Sequence, residues 1–259
     1  MNHQAKKRFG QNFLTDENII EQIILCINPQ YEDAMVEIGP GLAALTQHLV
    51  PILKQLDVIE IDRDLIPELV RKFKNKNLII HEADALTFDY AELVREDKKL
   101  RLVGNLPYNI STPLLFHLIQ YEKNIQDMHF MLQQEVVDRI CAAPDSKDYG
   151  RLSVMMQYHC QAEKLLHVPP ESFHPKPKVD SAIIRLKPWQ EKPFVAKDYK
   201  TLEQVVLQAF HMRRKTLHNN LKGLVTDEQL REVDIDPGLR AEVLSVKDFV
   251  CIANIIGGA

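Results

Sequence analysis

Short apolar runs alternate with longer amphipathic stretches over the first 150 residues of the chain. Apolar residues recur at helical spacing over residues 42–53 and 65–73, with Asp64 as a candidate cap for the second of these helices. This alternation predicts a parallel sheet covered by helices on both faces. The predicted strands are Ala34–Ile38, Leu56–Ile61, Asn77–His81, Arg101–Gly104 and Met128–Leu132.

The pattern changes after residue 150. Two apolar strands, Lys164–Val168 and Ser181–Leu186, flank a proline-rich loop and could close the sheet as an antiparallel pair. Beyond the prolines of residues 187–194 every amphipathic stretch predicts a helix, with capping signals at Thr226, Asp236 and Ser245 and a glycine end at 257–258. The chain is therefore predicted to be α/β. A doubly wound, mostly parallel seven-stranded sheet occupies residues 1–189, and a small all-helical domain occupies residues 190–259.

The composition of the chain excludes several protein classes. With 259 residues, 45% hydrophobic and 26% charged, it is neither disordered, collagen-like nor a small disulfide scaffold. The net charge of −4 does not exclude a nucleic-acid partner, because a local basic patch is what binds phosphate. The four cysteines have no metal-ligand spacing, so free thiols and no metal site are expected. Without a run of about 20 apolar residues or a signal-peptide core, the sequence predicts a cytoplasmic protein with no membrane contact.

Three consecutive predicted strands end in residues suited to a nucleoside cofactor. Gly39 and Gly41 follow the first strand, where glycines let a ligand approach the backbone, although a tight strand–helix turn would also use them. Glu60 ends the second strand and can accept hydrogen bonds from ribose hydroxyls, with Asp62 as a competing acid. Asp84 follows the third strand and can accept from an adenine amine or cap a helix. This set fits either NAD or S-adenosylmethionine.

The sequence Asn105-Leu-Pro-Tyr108 after the fourth strand favours methyl transfer to an adenine amine. The lone pair of that amine is delocalised into the ring. Hydrogen bonds from its two N–H groups to the Asn105 side chain and to a backbone carbonyl would hold the amine and localise the lone pair. Proline stiffens the turn, and an aromatic ring can stack on the base, which contributes about 1–3 kcal/mol per base. A proline turn with a core tyrosine is the structural alternative.

These residues resemble a known family, the ribosomal RNA adenine N6-methyltransferases, and within it the bacterial small-subunit adenine dimethyltransferases. The resemblance covers about residues 5–256. The most specific pieces are Lys7–Leu14, Glu37–Gly41, Gly104–Pro113, Tyr149–Ser153, Val168–Ser181 and Arg213–Thr216. Of these, Lys7–Leu14, Val168–Ser181 and Arg213–Thr216 distinguish this family from other methyltransferases.

The resemblance implies a site, a cofactor and a substrate. It implies that Asn105, the Leu106 carbonyl and Tyr108 bind the target base, with Phe173 as a second stacking face. The substrate would be two adjacent adenosines in the 3′-terminal hairpin loop of 16S rRNA in the immature small ribosomal subunit, each dimethylated by a monomeric enzyme with a role in ribosome biogenesis. The implied contacts of S-adenosylmethionine are Asn12, Leu14, Gly39, Gly41, Glu60, Asp84 and Asn105.

Basic residues lie where RNA phosphates could bind. Arg213, Arg214 and Lys215 belong to a stretch from Val206 to Lys222 that contains no acid. Arginine can bind phosphate bidentately. A short basic run is more often a solvated surface, but here it coincides with a piece of the family resemblance, which favours contact with RNA.

Three alternative functions are open at this point. A large-subunit ribosomal RNA methyltransferase of the antibiotic-resistance type would share the Asn105 motif, but the segments Lys7–Leu14 and Arg213–Thr216 argue against it. A nicotinamide-dependent dehydrogenase is suggested only by Gly39, Gly41 and Glu60. A ribosome-assembly protein without catalysis would not need Asn105, Tyr108 and Phe173.

Overall fold

The computed structural model describes residues 12–96 and 98–256. The strands are β1 (Phe13–Leu14), β2 (Ala34–Ile38), β3 (Leu56–Glu60), β4 (Leu78–Glu82), β5 (Leu100–Asn105), β6 (Ile125–Gln133), β7 (Cys160–Val168), β8 (Phe173–His174) and β9 (Ser181–Pro188). The helices are α1 (Glu17–Ile27), α2 (Thr46–Leu49), α3 (Ile66–Lys72), α4 (Ser111–Leu118), α5 (Gln134–Cys141), α6 (Arg151–His159), α7 (Tyr199–Ala209), α8 (Leu217–Asn220), α9 (Asp227–Glu232) and α10 (Val246–Ile256).

Seven of the described strands form one sheet in the order β4-β3-β2-β5-β6-β9-β7. Strands β2 to β6 pair in parallel, and β9 runs antiparallel to β6. β3 and β4 follow β2 on one side of the sheet, and β5 and β6 follow it on the other. Because crossovers between parallel strands are right-handed, this order is that of a doubly wound sheet. The predicted fold class is confirmed. All five residues of β3 are buried, including Asp57 and Glu60, so this strand is covered on both faces.

The amino-terminal segment adds a second, two-stranded sheet beside the first. Phe13 and Leu14 of β1 pair antiparallel with His174 and Phe173 of β8. The Asp16 side chain then caps α1 by accepting hydrogen bonds from the amides of Asn18 and Ile19. The apolar face of α1 and residues of β2, β3, β5, β6 and β9 share one buried hydrophobic cluster. Leu14 of β1 belongs to the same cluster, so this strand packs on the core together with α1.

Several local predictions are wrong. The predicted helix over residues 42–53 is reduced to Thr46–Leu49 between turns. Asp64 does not cap α3, which begins after Leu65. The acid that orders this turn is Asp62, whose Oδ1 accepts from the Asp64 amide at 3.2 Å. Asp236 closes a turn by accepting from the Gly238 amide and does not start a helix. The predicted glycine end at 257–258 lies outside the described residues.

The chain divides into two compact units. One holds the chain up to Val137 together with Glu163–Pro188, and the other holds Asp138–Ala162 and the chain from Trp189 onward. The predicted division between residues 189 and 190 assigns the segment 138–162 to the first domain, whereas this segment packs with the second unit. There α7 packs against α6 and α10, and Tyr149 contacts Phe210 edge-on, so a contiguous boundary does not describe the second unit.

None of the described helices has the length and hydropathy needed to span a bilayer. Among the residues that the structure describes, no group of three or more His, Cys, Asp or Glu side chains is arranged to hold a metal ion. None of the described cysteines, Cys26, Cys141, Cys160 and Cys251, forms a disulfide bond.

Candidate functional site

A cavity of about 230 Å³ opens at the carboxyl ends of β2, β3, β4 and β5. These ends lie at one edge of the sheet because the four strands are parallel. The wall is formed by residues 37–42, 59–61, 83–86 and 105–110, and by residues 12–14 of the amino-terminal segment. The structure thus brings together the residues after all three strands that the sequence suggested for a cofactor and those of the Asn105 motif.

The glycine loop after β2 has a backbone conformation that residues other than glycine rarely adopt. Gly39 has φ +67° and Gly41 has φ +58°. A Cβ atom on Gly41 would also lie 3.2 Å from the Phe13 ring, so the loop and the amino-terminal segment approach closely here. The two roles suggested for these glycines, a tight turn and an open approach to the backbone, are compatible because the same loop lines the cavity.

Glu60 organises the loop at the end of β3. It is 5% exposed, and its two carboxylate oxygens accept from the amides of Gly41 at 3.3 Å and Asp62 at 2.8 Å. Burial raises the pKa of Glu60, and these two amide donors act in the opposite direction. Glu60 lines the cavity, whereas Asp62 does not. Of the two competing acids, Glu60 is therefore the one placed to meet a ligand.

Asp84 is exposed and lines the cavity from the turn after β4. Its Oδ1 accepts from the Leu86 amide at 2.9 Å, and its backbone carbonyl accepts from Thr87 and Phe88. The residue therefore orders a turn and not a helix. Its position on the cavity wall is compatible with the predicted contact to an adenine amine.

The Asn105 side chain has its orientation fixed by the amino-terminal segment. Its Nδ2 donates to the backbone carbonyl of Asn12 at 2.9 Å, so Oδ1 is the atom left to accept. The next residue, Leu106, donates its amide to Met131 of β6 at 3.2 Å. Among the described residues, no group donates to Asn105 Oδ1 or to the Leu106 carbonyl. Two acceptors at consecutive positions therefore belong to the wall of one cavity.

Tyr108 is half-buried on the same wall, and its hydroxyl lies 2.8 Å from the Ser181 Oγ. Burial raises the pKa of the Tyr108 phenol, with the Ser181 hydrogen bond as a smaller opposing effect, so the phenol is neutral at physiological pH.

The predicted site residues do not all line the cavity. Asn12 and Leu14 do. Phe173 is 4% exposed and lies in the buried hydrophobic cluster, where its strand β8 pairs with Leu14; it is not part of the cavity wall. The stacking of Phe173 on a base stays a prediction. In the structure the ring is buried in this cluster, so it would have to leave the cluster to meet a base.

Glu37 is a cavity residue to which the sequence analysis gave no role. It is the fourth residue of β2, two residues before Gly39, is 2% exposed and lines the cavity. The Thr46 hydroxyl donates to its carboxylate at 2.7 Å. Burial raises the pKa of Glu37 to about 7, and the charge of nearby Glu60 adds to this. An acid inside an otherwise apolar strand was the available signal for it.

Arg213, Arg214 and Lys215 lie in an exposed loop between α7 and α8, in the second unit. Arg213 donates to the Lys147 carbonyl at 2.7 Å and lies 3.7 Å from the Glu242 carboxylate. The acid paired with Arg213 is thus Glu242. No ion pair is formed by Arg214 or Lys215 with the described residues.

Known proteins resemble this chain over nearly its whole length. The family model for ribosomal RNA adenine dimethylase matches residues 2–257. A ribosomal RNA small subunit methyltransferase A from Hydrogenovibrio crunogenus is 56% identical over 98% of this chain and 97% of its own. A dimethyladenosine transferase structure from Plasmodium falciparum has a TM-score of 0.80 and 26% identity, covering 95% of this chain and 98% of that one. The structure of the 23S rRNA methyltransferase ErmE has a TM-score of 0.73 and 24% identity, covering 95% and 100%, which shows a shared fold.

Proposed function

Because the chain belongs to the ribosomal RNA adenine dimethylase family, we propose that it dimethylates the N6 amines of two adjacent adenosines in the 3′-terminal hairpin loop of 16S rRNA, with S-adenosylmethionine as methyl donor. The choice of the small subunit is supported by the 56% identity to a small-subunit methyltransferase over nearly the whole chain. The likeness to the 23S enzyme concerns the fold alone. The dehydrogenase alternative has no support from the family.

The observation that carries the proposal is the pair of acceptors at Asn105 and Leu106. An exocyclic amine has two N–H groups, and Asn105 Oδ1 and the Leu106 carbonyl can each accept one of them. The Asn12 carbonyl holds the Asn105 amide in the orientation that presents Oδ1. Two hydrogen bonds accepted from the N–H groups hold the nitrogen in place and favour localisation of its lone pair. No strong base is required, because the methylated nitrogen is very acidic and loses its proton readily.

The Tyr108 ring provides a surface for the face of the base. It lies on the same wall as Asn105, so a stacked adenine can present its amine to both acceptors. A base in a hairpin loop must leave its stack to enter such a cavity, and stacking on Tyr108 offsets part of that cost. The basic loop at Arg213, Arg214 and Lys215 is proposed to bind the RNA backbone.

The cavity residues fit the proposed cofactor. Glu60 places a buried carboxylate at the end of β3, where ribose hydroxyls can donate to it. Asp84 places a second acceptor one strand further on, suited to the adenine amine. Asn12, Leu14, Gly39 and Gly41 surround the remaining space. When bound, S-adenosylmethionine supplies an electrophilic methyl group on a positively charged sulfur.

Methyl transfer to isolated subunits tests the proposal. The purified chain is incubated with labelled S-adenosylmethionine and small subunits from cells that lack the modification, and the rRNA nucleosides are analysed by mass spectrometry. We expect N6,N6-dimethyladenosine in 16S rRNA and none in 23S rRNA from large subunits treated in parallel. Modification of 23S rRNA alone would contradict the proposal. Because ribosomal subunits are the proposed substrate, we propose that the protein acts in the cytoplasm. The predicted monomeric state can be tested by light scattering of the purified chain.

A further inference from the structure

The proline-rich segment from Val168 to Ser181 is one of the most specific parts of the sequence, but only Phe173 in it has a suggested role. Its last residue, Ser181, is 0% exposed and begins β9, where it pairs with Gln133 of β6. The carbonyl of the preceding residue, Asp180, accepts from the Gln134 amide at 2.9 Å. The Ser181 hydroxyl is therefore attached to a rigid part of the sheet.

Tyr108 is held at both of its ends. Its backbone carbonyl accepts from the Ser111 hydroxyl at 3.1 Å, and the Ile110 amide donates to the Pro107 carbonyl within the same turn. Its phenolic hydroxyl, at the far end of the ring, meets Ser181 at 2.8 Å. A tyrosine fixed only at its backbone can change both side-chain torsions. The phenolic oxygen lies on the axis of the second torsion, so a contact at the hydroxyl fixes the first torsion and thereby the position of the ring.

We propose that Ser181 is a positioning residue: its hydroxyl holds the Tyr108 ring in the position that a target adenine meets in the cavity. This rests on the proposed function. Ser181 itself is fully buried and so does not touch the base. Because of this contact the Tyr108 ring is already ordered before RNA binds. The conformational entropy of the ring is therefore not lost when the base stacks on it. The step affected is capture of the base and not binding of the cofactor.

Three variants test this role: Ser181→Ala, Tyr108→Phe, which keeps the ring and removes its hydroxyl, and the double variant. We expect each single variant to raise the KM for immature small subunits by about threefold to tenfold, the effect of one lost neutral hydrogen bond. The double variant should be no worse than either single one, because both remove the same contact. The affinity for S-adenosylmethionine, measured by calorimetry, should be unchanged.

Ser153→Ala is the matched control. Ser153 is also fully buried, but its hydroxyl bonds to the Arg139 carbonyl and the Gly150 amide in the second unit. This variant should lose thermal stability with an unchanged KM for RNA.

Three results would overturn the role of Ser181 alone: an unchanged KM in Ser181→Ala, effects of the two single variants that add, or an equal loss of cofactor affinity. If the wild-type chain does not methylate immature subunits, the proposed function fails, and the role of Ser181 in it fails too.

Discussion

At the residue scale, the orientation of the Asn105 amide decides what the site can bind. A carbonyl can only accept, so the contact with Asn12 requires the nitrogen of Asn105 on that side and leaves the oxygen for a ligand. The asparagine thus acts as an acceptor because a backbone group outside its own loop makes it one. An aspartate would offer two oxygens but could not donate to Asn12.

Replacing Asn105 should abolish turnover while leaving the fold intact. We expect Asn105→Ala and Asn105→Asp to lower kcat by about a hundredfold or more, because a group that contacts the reacting amine is lost or misplaced. Asn18→Ala, on the exposed side of α1, is the control and should keep wild-type turnover. Single-turnover methyl transfer measures the effect, and melting temperature checks the fold. Wild-type dimethylation by Asn105→Ala would refute the proposed chemistry.

Glu60 is expected to determine cofactor affinity. Glu60→Ala removes a buried carboxylate that faces the cavity and also releases the amides of Gly41 and Asp62. Hydrogen bonds to a charged group contribute about 1.5–3 kcal/mol, so the Kd for S-adenosylmethionine should rise by about tenfold to a hundredfold. Glu82→Ala, which removes the neighbouring acid outside the cavity, should not change it. Calorimetric titration distinguishes the two, and an unchanged affinity in Glu60→Ala contradicts the role.

Glu37 is expected to make stability depend on pH. Its pKa is about 7 in the fold against an ordinary value of 4.5. Between these values the folded protein binds more protons than the unfolded chain, so the free energy of unfolding falls as pH rises from about 4.5 to about 7. Glu37→Gln should remove this loss and be more stable than wild type at pH 8 by about 1–3 kcal/mol, with little difference near pH 4.5.

Urea unfolding at pH 5 and pH 8 measures this difference. Glu135→Gln, at an exposed position in α5, controls for the loss of one negative charge. Parallel stability curves for Glu37→Gln and wild type across this range would show that Glu37 does not carry the effect.

At the element scale, the pairing of β2 and β5 requires a glycine directly before Asn105. A Cβ atom on Gly104 would lie 2.5 Å from the Ile38 carbonyl oxygen, and that atom belongs to the backbone and cannot move aside cheaply. The close approach at this point brings the Asn105 motif next to the glycine loop that follows Ile38. The glycine in this motif is thus explained by sheet packing.

Gly104→Ala should destabilise the sheet. We expect the free energy of unfolding to fall by about 1–3 kcal/mol, the usual cost of forcing an extra carbon into a packed site. Gly150→Ala is the comparison, because a Cβ atom there meets nothing within 4 Å and only the N-cap of α6 is weakened. Thermal melting of both variants and the wild type measures the difference. A wild-type melting temperature in Gly104→Ala would show that the strands accommodate the extra carbon without cost.

At the scale of the whole molecule, we expect the first unit to bind the cofactor and the second unit to contact the RNA backbone. Every residue that lines the cavity belongs to the first unit. The exposed loop with Arg213, Arg214 and Lys215 belongs to the second. Arg213 also has a structural contact with Glu242, but an exposed ion pair contributes only about 0–1 kcal/mol to stability.

Changing Arg214 and Lys215 together to Ala should weaken binding to immature small subunits and flatten its salt dependence. Each lost phosphate contact should reduce the slope of log affinity against log salt by about 0.7–0.9, through counterion release. Cofactor affinity and melting temperature should not change. Lys74→Ala with Lys76→Ala, exposed lysines of the first unit, controls for loss of charge. A lower melting temperature with an unchanged slope would assign the loop to structure.

The sequence by itself determined the α/β class, the parallel strands and the positions of the polar residues that line the cavity. It could do so because strands buried on both faces read as continuous apolar runs, and because ligand residues follow strand ends directly in the chain. Glu60, Asp84, Asn105 and Tyr108 were all found in this way, and the structure places them around one cavity.

Only the tertiary structure decided which groups orient these residues. The Asn12 carbonyl and Ser181 lie 93 and 73 residues from the side chains that they hold, and no local pattern records such contacts. The same limit applies to the segment 138–162, which packs with the carboxyl-terminal unit, and to Phe173, which lies in the core. Local patterns specify elements and their ends, whereas the packing between distant elements decides which buried polar groups meet.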